Sequence, residues 1–284
     1  MQPKAKGQLL LREIKKFGNK KFYQIIYKTM KKLLAIFFIL PVFALAQKGS
    51  LLSGTYSWKQ PAPPAKNQIS SAVLFEGLVH DFEWVQMSAN SVAPVMKKNN
   101  YHVPANQEYL FFIKSGSLMI SFHDSDFSIG AGSVAMLMPG EKYTLKNPGT
   151  GHCDFYIFKY RSKQPVDMER GKTNGGSFVK DWNKIEFKPH DKGGVRNYFV
   201  RKTAMGNRID IHVTTLNEGL KSHDPHTHRA EEMVLMIDGD TEMQIGDKFY
   251  KGTVGTIFYM GSNVPHAIRN DGKGTATYFA FQFE

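Results

Sequence analysis

GSVAMLMPGEKYTLKN (Gly132–Asn147) and GTIFYMGSNVPHAIRN (Gly255–Asn270) decide the fold, because they are two versions of one pattern that begins with Gly and ends with Asn. A second pair of stretches is also similar, QEYLFFIKSGSLMISF (Gln107–Phe122) and EEMVLMIDGDTEMQI (Glu231–Ile245). Self-similarity of this kind indicates a repeated structural unit. The sequence therefore predicts two copies of one unit in a chain of 284 residues.

Each copy consists of short apolar runs, rich in aromatic and β-branched residues, with turn sequences such as Ser-Gly and Asp-Gly between them. Such runs favour strands joined by hairpins, whereas a long helical periodicity is weak. The sequence thus predicts an all-β sandwich or barrel. A polar, Gly-containing stretch at residues 161–184 joins the two copies and has room for a helical turn.

The formal charge of +12 is concentrated at the front of the chain, where residues 1–46 carry +9 and leave +3 for the rest. Within that segment, MKKLLAIFFILPVFALAQ from Met30 has the basic start, apolar run and small residues of a signal peptide, cleaved after Ala46. The apolar run is short for a stable membrane span. We expect an exported protein, periplasmic or extracellular. Residues 1–29 are either untranslated, with Met30 as the initiator, or a retained basic arm.

The remaining charge argues against nucleic acid as a partner, because residues 47–284 contain no basic run that could follow a phosphate backbone. Cys153 is the single cysteine of the chain. An intramolecular disulfide and a zinc site of several thiolates are therefore excluded. Because Cys153 stands before an apolar run, we interpret it as a buried, inert side chain.

A cluster of metal-binding side chains precedes an apolar run in SHDPHTHRAEEMVLMIDGD (Ser222–Asp240). On a strand, residues two apart share a face, so His226, His228 and Glu232 point the same way. His266 of the second repeated stretch is the fourth candidate, if strand pairing brings it opposite. Imidazole and carboxylate ligands suit Mn, Fe, Zn, Ni or Cu.

These residues resemble the two cupin motifs. HTHRAEEMVLMIDG is similar to the first, with His226, His228, Glu232 and Gly239 in place, and GTIFYMGSNVPHAIRN is similar to the second, with His266 in place. The usual Pro-x-Gly turn of the second motif is here Gly-Ser-Asn at 261–263. The resemblance implies two tandem cupin barrels, which are double-stranded β-helices or jelly rolls. It also implies a divalent metal held by three His and one Glu, with Mn or Fe favoured over Zn or Ni.

The implied arrangement is a bicupin with a degenerate N-terminal half, similar to ureidoglycine aminohydrolase-type and germin-like bicupins. The expected parts are the upstream extension and signal peptide at 1–46, a linker or arm at 47–70, an N-terminal cupin without metal at 71–165 and a C-terminal cupin with the metal at 166–284. In the first half we align His102 with His226, Pro104 with His228, Glu108 with Glu232 and Tyr143 with His266. We expect that barrel to serve packing or dimerisation, and leave open whether His102 and Glu108 form a second polar pocket.

Several other polar residues are candidates for roles beside the metal. By strand parity, Tyr259 is a candidate proton donor and Arg269 a candidate carboxylate clamp, although packing or solvation also explains each. His223 and Lys221 fit the barrel mouth or a solvated loop. His212, on the same face as Asp210, either lines the second barrel or is a hydrogen-bonded core residue.

Two functions remain open at this stage. One is a metal-dependent hydrolase, isomerase or oxygenase that acts on a small polar substrate, whether a carboxylate, sugar-derived or nitrogenous. The other is a non-catalytic module that binds a small ligand or carbohydrate and has a structural metal. A homodimer is a possible assembly in either case.

Overall fold

The apolar runs of the sequence form strands in the computed structural model, which describes residues 49–284; the predicted signal peptide and upstream extension lie outside these residues. The first ten strands, in chain order, are β1 (Gly54–Ser57), β2 (Ile69–Gly77), β3 (Phe82–Val92), β4 (Met96–His102), β5 (Glu108–Ser115), β6 (Ser117–Phe122), β7 (Ser125–Gly130), β8 (Val134–Leu137), β9 (Lys142–Asn147) and β10 (Cys153–Ser162).

A short helix, α1 (Met168–Thr173), lies in the polar joining stretch, and Asp167 caps it by accepting a hydrogen bond from the backbone N–H of Arg170. The strands that follow are β11 (Phe178–Lys180), β12 (Lys188–His190), β13 (Gly193–Arg201), β14 (Ile209–Leu216), β15 (Glu231–Asp238), β16 (Thr241–Ile245), β17 (Lys248–Gly252), β18 (Thr256–Met260), β19 (His266–Asn270) and β20 (Ala276–Phe283). A 3₁₀ turn spans Trp182–Lys184. Within residues 49–284, no helix has the length and apolarity needed to cross a bilayer.

The strands form four antiparallel sheets, two in each half. The N-terminal half has a six-stranded sheet in the order β11-β8-β5-β10-β3-β2 and a four-stranded sheet in the order β4-β9-β6-β7. The C-terminal half has a seven-stranded sheet in the order β1-β18-β15-β20-β14-β13-β12 and a three-stranded sheet in the order β17-β16-β19. The all-β prediction is confirmed, and the paired sheets are consistent with two jelly-roll barrels, although none of the sheets formed by residues 49–284 closes on itself.

Three apolar cores lie between these sheets. One fills the N-terminal barrel, one fills the C-terminal barrel, and the largest packs the six-stranded sheet against the seven-stranded sheet. On β15, Met233 and Leu235 enter the core between the halves, while Val234 and Met236 enter the C-terminal barrel. A strand buried on both faces needs apolar residues at successive positions, which explains the unbroken run MVLM.

The two halves repeat each other at a constant spacing of 123 positions, as Asn147 and Asn270 show. The side chain of Asn147 donates to the carbonyls of residues 93 and 151 and accepts from the N–H of residue 149. The side chain of Asn270 donates to the carbonyls of residues 216 and 274 and accepts from the N–H of residue 272. Every partner is displaced by the same spacing, so the repetition extends to individual hydrogen bonds.

Each half contributes one strand to the sheet of the other. β1, within the predicted linker at 47–70, pairs antiparallel with β18 of the C-terminal half. β11, within the segment predicted to begin the C-terminal cupin at 166, pairs with β8 of the N-terminal half. The two halves are therefore tied by reciprocal strand exchange as well as by the shared core.

Candidate metal centre

The loop before β15 and the start of β19 bring the predicted histidines together. The backbones of His226 and His266 form an isolated antiparallel bridge, with N–H to carbonyl distances of 3.2 and 3.1 Å. The backbone N–H of Asn263 donates to the carbonyl of His228 at 2.9 Å. Asn263 has φ 59°, a left-handed conformation that Asn tolerates better than most residues, so it replaces the Gly of the usual turn.

Three imidazoles converge at one end of the C-terminal barrel. His226, His228 and His266 each present a ring nitrogen within 4.8 Å of the others. Their ring centroids lie 4.7 to 5.3 Å apart. His226 is exposed, His228 is partly buried and His266 is buried, so the cluster leads from solvent into the barrel.

Backbone carbonyls fix the tautomers of two of these rings. His228 Nδ1 lies 2.7 Å from the carbonyl oxygen of Ala230, and His266 Nδ1 lies 2.8 Å from that of Val264. A carbonyl can only accept, so each Nδ1 carries a proton and each Nε2 of a neutral ring presents a lone pair. Such a second contact is typical of metal-binding histidines. The Nε2 of His266 is buried without a hydrogen-bond partner among residues 49–284.

Glu232 completes the group from β15. Its Oε2 lies 3.0 Å from His228 Nε2 and 3.6 Å from His266 Nε2. A lone pair facing a carboxylate oxygen at this distance requires a proton or a metal ion between them. Two ligands each about 2.1 Å from one ion and at a right angle to each other lie about 3 Å apart, so the contacts fit a shared ion.

The electrostatics of the cluster favour ionised Glu232 and neutral His226. Burial raises the pKa of Glu232, but the hydrogen bonds with His228 and Gln282 and the nearby imidazole of His266 outweigh it and hold the pKa well below its usual range. Partial burial of the imidazole lowers the pKa of His226, and the neighbouring imidazoles of His223 and His266 lower it further. The hydrogen bond with Glu232 raises the pKa of His228. A carboxylate among imidazoles is the donor set that divalent transition metals bind.

Comparisons with known proteins agree with this geometry. The sequence of residues 212–281 matches the family described as the cupin domain. This match begins within β14 and contains β15, β19 and all four clustered side chains. A search of curated proteins gave no match.

Solved structures are similar to this chain over most of its length. Oxalate decarboxylase from Lactobacillus farciminis, in a formate complex, has a TM-score of 0.61 at 11% identity, and the match covers 84% of this chain and 88% of that one. The putative glyoxylate-induced protein from Pseudomonas aeruginosa has a TM-score of 0.61 at 16% identity, covering 84% and 85%. Ylba from E. coli has a TM-score of 0.60 at 15% identity, covering 84% and 95%. Identities this low establish a shared fold only.

A polar wall borders the cluster in the C-terminal half, on the inner face of the seven-stranded sheet. Asp210, Gln282 and Glu232 form one row across β14, β20 and β15. Gln282 Nε2 donates to Glu232 Oε2 at 2.9 Å. Arg208 and His212 extend the wall, and both side chains are about one-third exposed. We call this end of the barrel, lined by Arg208, Asp210, His212 and Gln282, the mouth.

Sequence reasoning noted the shared face of Asp210 and His212 but missed Arg208 and Gln282. His212 Nδ1 lies 3.5 Å from Asp210 Oδ1. Gln282 is near the end of the chain, in an apolar run that gave no sign of a polar contact. The one available signal was its position two residues after Ala280 and four after Tyr278. Side chains at these positions share one face of a strand, which here is the barrel side.

Tyr259 and Arg269 lie away from the cluster. The side chain of Tyr259 is in the core between the halves, where its hydroxyl donates to Glu231 Oε1 at 2.6 Å. Arg269 is half-exposed and binds Glu242 and Asp271. Neither residue contacts the four clustered side chains through a hydrogen bond or ion pair in the described part of the chain. His223 adjoins the cluster, with its ring centroid 4.1 Å from that of His226.

The alignment of His102 and Glu108 with metal ligands is wrong by one residue. The constant spacing of 123 places Val103 opposite His226, Ala105 opposite His228, Tyr109 opposite Glu232 and Tyr143 opposite His266. A shift of one residue moves a side chain to the other face of a strand. Glu108 accordingly points between the halves, His102 is exposed, and Val103, Tyr109 and Tyr143 fill the N-terminal core. His102 and Glu108 therefore do not share a pocket.

Proposed function

We propose that the protein is a metal-dependent cupin enzyme that converts a small polar substrate at the mouth of its C-terminal barrel. One observation carries this proposal: the cluster of three imidazoles and Glu232 shares the open end of the barrel with the ionisable wall of Arg208, Asp210 and His212. Metal ligands alone do not distinguish a catalytic from a structural ion. Ionisable groups beside an ion, on a solvent-accessible wall, are what a reaction requires.

His226, His228, Glu232 and His266 are the residues that would hold the metal. We favour Mn or Fe, which accept mixed imidazole and carboxylate ligands, with Zn or Ni as alternatives. When bound, such an ion polarises a substrate oxygen or lowers the pKa of a coordinated water. Gln282 orients Glu232 through its hydrogen bond to Oε2, the same oxygen that faces His228 and His266.

His212 is the proposed proton carrier of the mouth. Its Nδ1 faces Asp210, so the carboxylate orients the ring and leaves Nε2 for exchange of a proton with a bound molecule. The side chain is 30% exposed and therefore within reach of solvent. Hydrolysis, isomerisation and oxygenation all use such a group, so the reaction class remains within these three.

We also propose that the enzyme is exported after cleavage near Ala46 and that the N-terminal barrel, residues 71–165, has no metal of its own. The aromatic and aliphatic filling of that barrel by Val103, Tyr109 and Tyr143 supports the second proposal. The same observation supports an alternative function, a non-catalytic cupin in which both barrels serve binding or packing and the C-terminal metal is structural.

Metal analysis tests the site first. Protein purified without chelator should contain close to one divalent ion per chain, and the His226→Ala/His266→Ala double variant should contain little. His102→Ala is the matched control, because it removes an exposed histidine from the other half. Equal metal content in the wild type and the double variant would rule out the proposed centre.

Turnover then separates the two functions. Metal-loaded and metal-free protein are compared on panels of hydrolase, isomerase and oxygenase substrates. Metal-dependent turnover that His212→Ala reduces, with metal content unchanged, supports the enzyme. A metal that raises the melting temperature without turnover on any panel supports the binding module.

A further inference from the structure

The guanidinium of Arg208 is held at the mouth from two directions. The backbone of Arg208 forms two hydrogen bonds with that of Glu284, each 3.0 Å long, and these anchor the residue at the end of the sheet. Its Nη1 donates to Gln282 Oε1 at 2.9 Å, and its Nη2 pairs with Asp210. The hydrogen bond and the ion pair therefore hold the side chain in place before any ligand binds.

Gln282 links this guanidinium to the candidate metal ligands. The same side-chain amide that accepts from Arg208 donates to Glu232 Oε2 at 2.9 Å and lies 3.4 Å from His228 Nε2. Arg208 is thus two hydrogen bonds from the metal-binding group. A small molecule that contacts the ion is within reach of the guanidinium.

Arg208 retains donors for such a molecule. Its contacts with Gln282 and Asp210 use two of the five N–H donors that a guanidinium carries. The side chain is 35% exposed, so solvent reaches it. A planar guanidinium of this kind matches the two oxygens of a carboxylate in a bidentate contact.

The net charge of the mouth favours a ligand that carries one negative charge. With a divalent ion bound, the ion and Arg208 carry three positive charges against the two negative charges of Asp210 and Glu232. The excess is one positive charge, which a monoanionic carboxylate balances and a phosphate dianion overcompensates.

We infer that Arg208 anchors the carboxylate of a small monocarboxylic acid while another group of that molecule approaches the metal. This inference rests on the proposed function and narrows its substrate class from polar molecules to carboxylic acids. It assigns to Arg208, on the inner wall, the role that sequence parity offered to Arg269, which binds Glu242 and Asp271.

Calorimetric titration of manganese-loaded protein with lactate and with lactamide tests the inference, because the amide has the shape of the acid but no charge. Wild type should bind lactate at least about tenfold more tightly than lactamide, and Arg208→Gln should weaken lactate binding by at least about tenfold. Arg208→Lys should restore part of the lost lactate affinity, since lysine has the charge of arginine but cannot make its bidentate contact. The affinity for manganese should change less than about threefold in both variants, because Arg208 bonds to Gln282 and Asp210 and to none of the candidate metal ligands directly.

Arg161→Gln is the matched control: Arg161 is also 35% exposed and pairs with a carboxylate, Glu83, but it lies in the N-terminal half. This variant should bind lactate as wild type does. Arg269→Gln compares the two candidate anchors directly.

Four results would overturn the inference while leaving the metal centre intact. They are equal binding of lactate and lactamide by wild type, no binding of either, tighter binding of inorganic phosphate, and loss of lactate binding in Arg269→Gln but not in Arg208→Gln. Wild-type protein that takes up none of manganese, iron, zinc or nickel would instead overturn the proposed function, and the inference with it. If Arg208→Gln does not fold, the comparison of Arg208→Lys with wild type decides between these outcomes.

Discussion

Glu108 and Glu231, 123 positions apart, each accept at least one backbone hydrogen bond from a loop of the opposite half. Glu108 on β5 accepts from the N–H groups of Ala204 and Met205, at 3.0 and 3.2 Å. Glu231 on β15 accepts from the N–H of His80 at 3.0 Å. Both carboxylates are buried between the halves. Because Glu231 adjoins the candidate ligand Glu232, this pseudo-symmetric contact connects the N-terminal half to the metal-binding strand.

Replacement of Glu108 by Gln should destabilise the protein, and more at acid than at neutral pH. Burial raises the pKa of Glu108, although Thr203, Tyr160 and two backbone N–H groups bind its carboxylate. A carboxyl with a raised pKa stabilises the fold most below the pKa of an unfolded glutamate, about 4.3, and this contribution is lost as pH rises through the folded pKa. Gln does not titrate, and its amide nitrogen cannot accept the N–H of Ala204.

We therefore expect Glu108→Gln to lower the free energy of unfolding by about 1–3 kcal/mol near pH 4.5, with a smaller difference at pH 8. Urea unfolding of metal-free protein at the two pH values measures it. Glu83→Gln, at an exposed glutamate of the same half, is the control. A difference in unfolding free energy that grows with pH would contradict a raised pKa of Glu108.

The thiol of Cys153 should be unreactive in the folded protein. The side chain is fully buried in the N-terminal barrel, and burial, with a smaller contribution from Asp154, raises its pKa to about 12. Thiol reagents attack the thiolate, which is scarce far below the pKa. Ellman's reagent at pH 8 should give no fast reaction with native protein and one thiol per chain in urea. Fast labelling of the native protein would show that the barrel opens.

Gln282→Leu should weaken metal binding without disturbing the fold. The amide of Gln282 donates to Glu232 Oε2, and loss of a group that orients a metal ligand typically costs about 10–100-fold in affinity. Titration of metal-free protein with manganese measures the affinity, and thermal melting of the metal-free variant reports the fold. Gln244→Leu, on the three-stranded sheet, is a control at a partly buried glutamine whose side chain donates to the backbone carbonyl of Gly246. Equal affinities of wild type and Gln282→Leu would remove Gln282 from the site.

The sequence predicted the convergence of His226, His228, Glu232 and His266, because two-residue parity and a repeated motif are both local patterns. It could not predict Gln282, whose contact with Glu232 depends on the register of two strands that are 50 positions apart. The arrangement of β14 beside β20, which places Arg208 at the mouth, is likewise set by tertiary packing and not by any pattern near residue 208.

The misalignment of Glu108 has a different cause, the ambiguous register of two similar strands. Gln107-Glu108 and Glu231-Glu232 are both polar pairs at the start of an apolar strand, so composition alone allows either register. The two registers differ in which face each glutamate occupies, and only the packing of the halves decides it. Gly116 and Gly239, which are 123 positions apart and have φ of 74° and 73°, were the stronger signal for the register. Glycine is the residue that a left-handed turn requires.

Removal of β1 should destabilise the C-terminal half although β1 precedes the N-terminal half in the chain. β1 forms four residue pairs with β18, from Gly54 opposite Tyr259 to Ser57 opposite Thr256. Ser53 Oγ also accepts the backbone N–H of Gly261 at 2.9 Å, at the turn that leads to His266. Without this strand, the edge of β18 and that N–H lose their partners.

A chain that begins at residue 59 should therefore unfold at lower urea than one that begins at residue 49, with a loss of about 1 kcal/mol for each hydrogen bond removed. Its affinity for manganese should fall as well, because the turn before His266 is no longer held. Ser53→Ala tests that turn alone in a chain that retains β1, and should lower metal affinity with a smaller effect on stability. Equal unfolding midpoints for the two truncated chains would show that the exchanged strand contributes nothing to the fold, whereas unchanged metal affinity in both variants would separate the strand from the site.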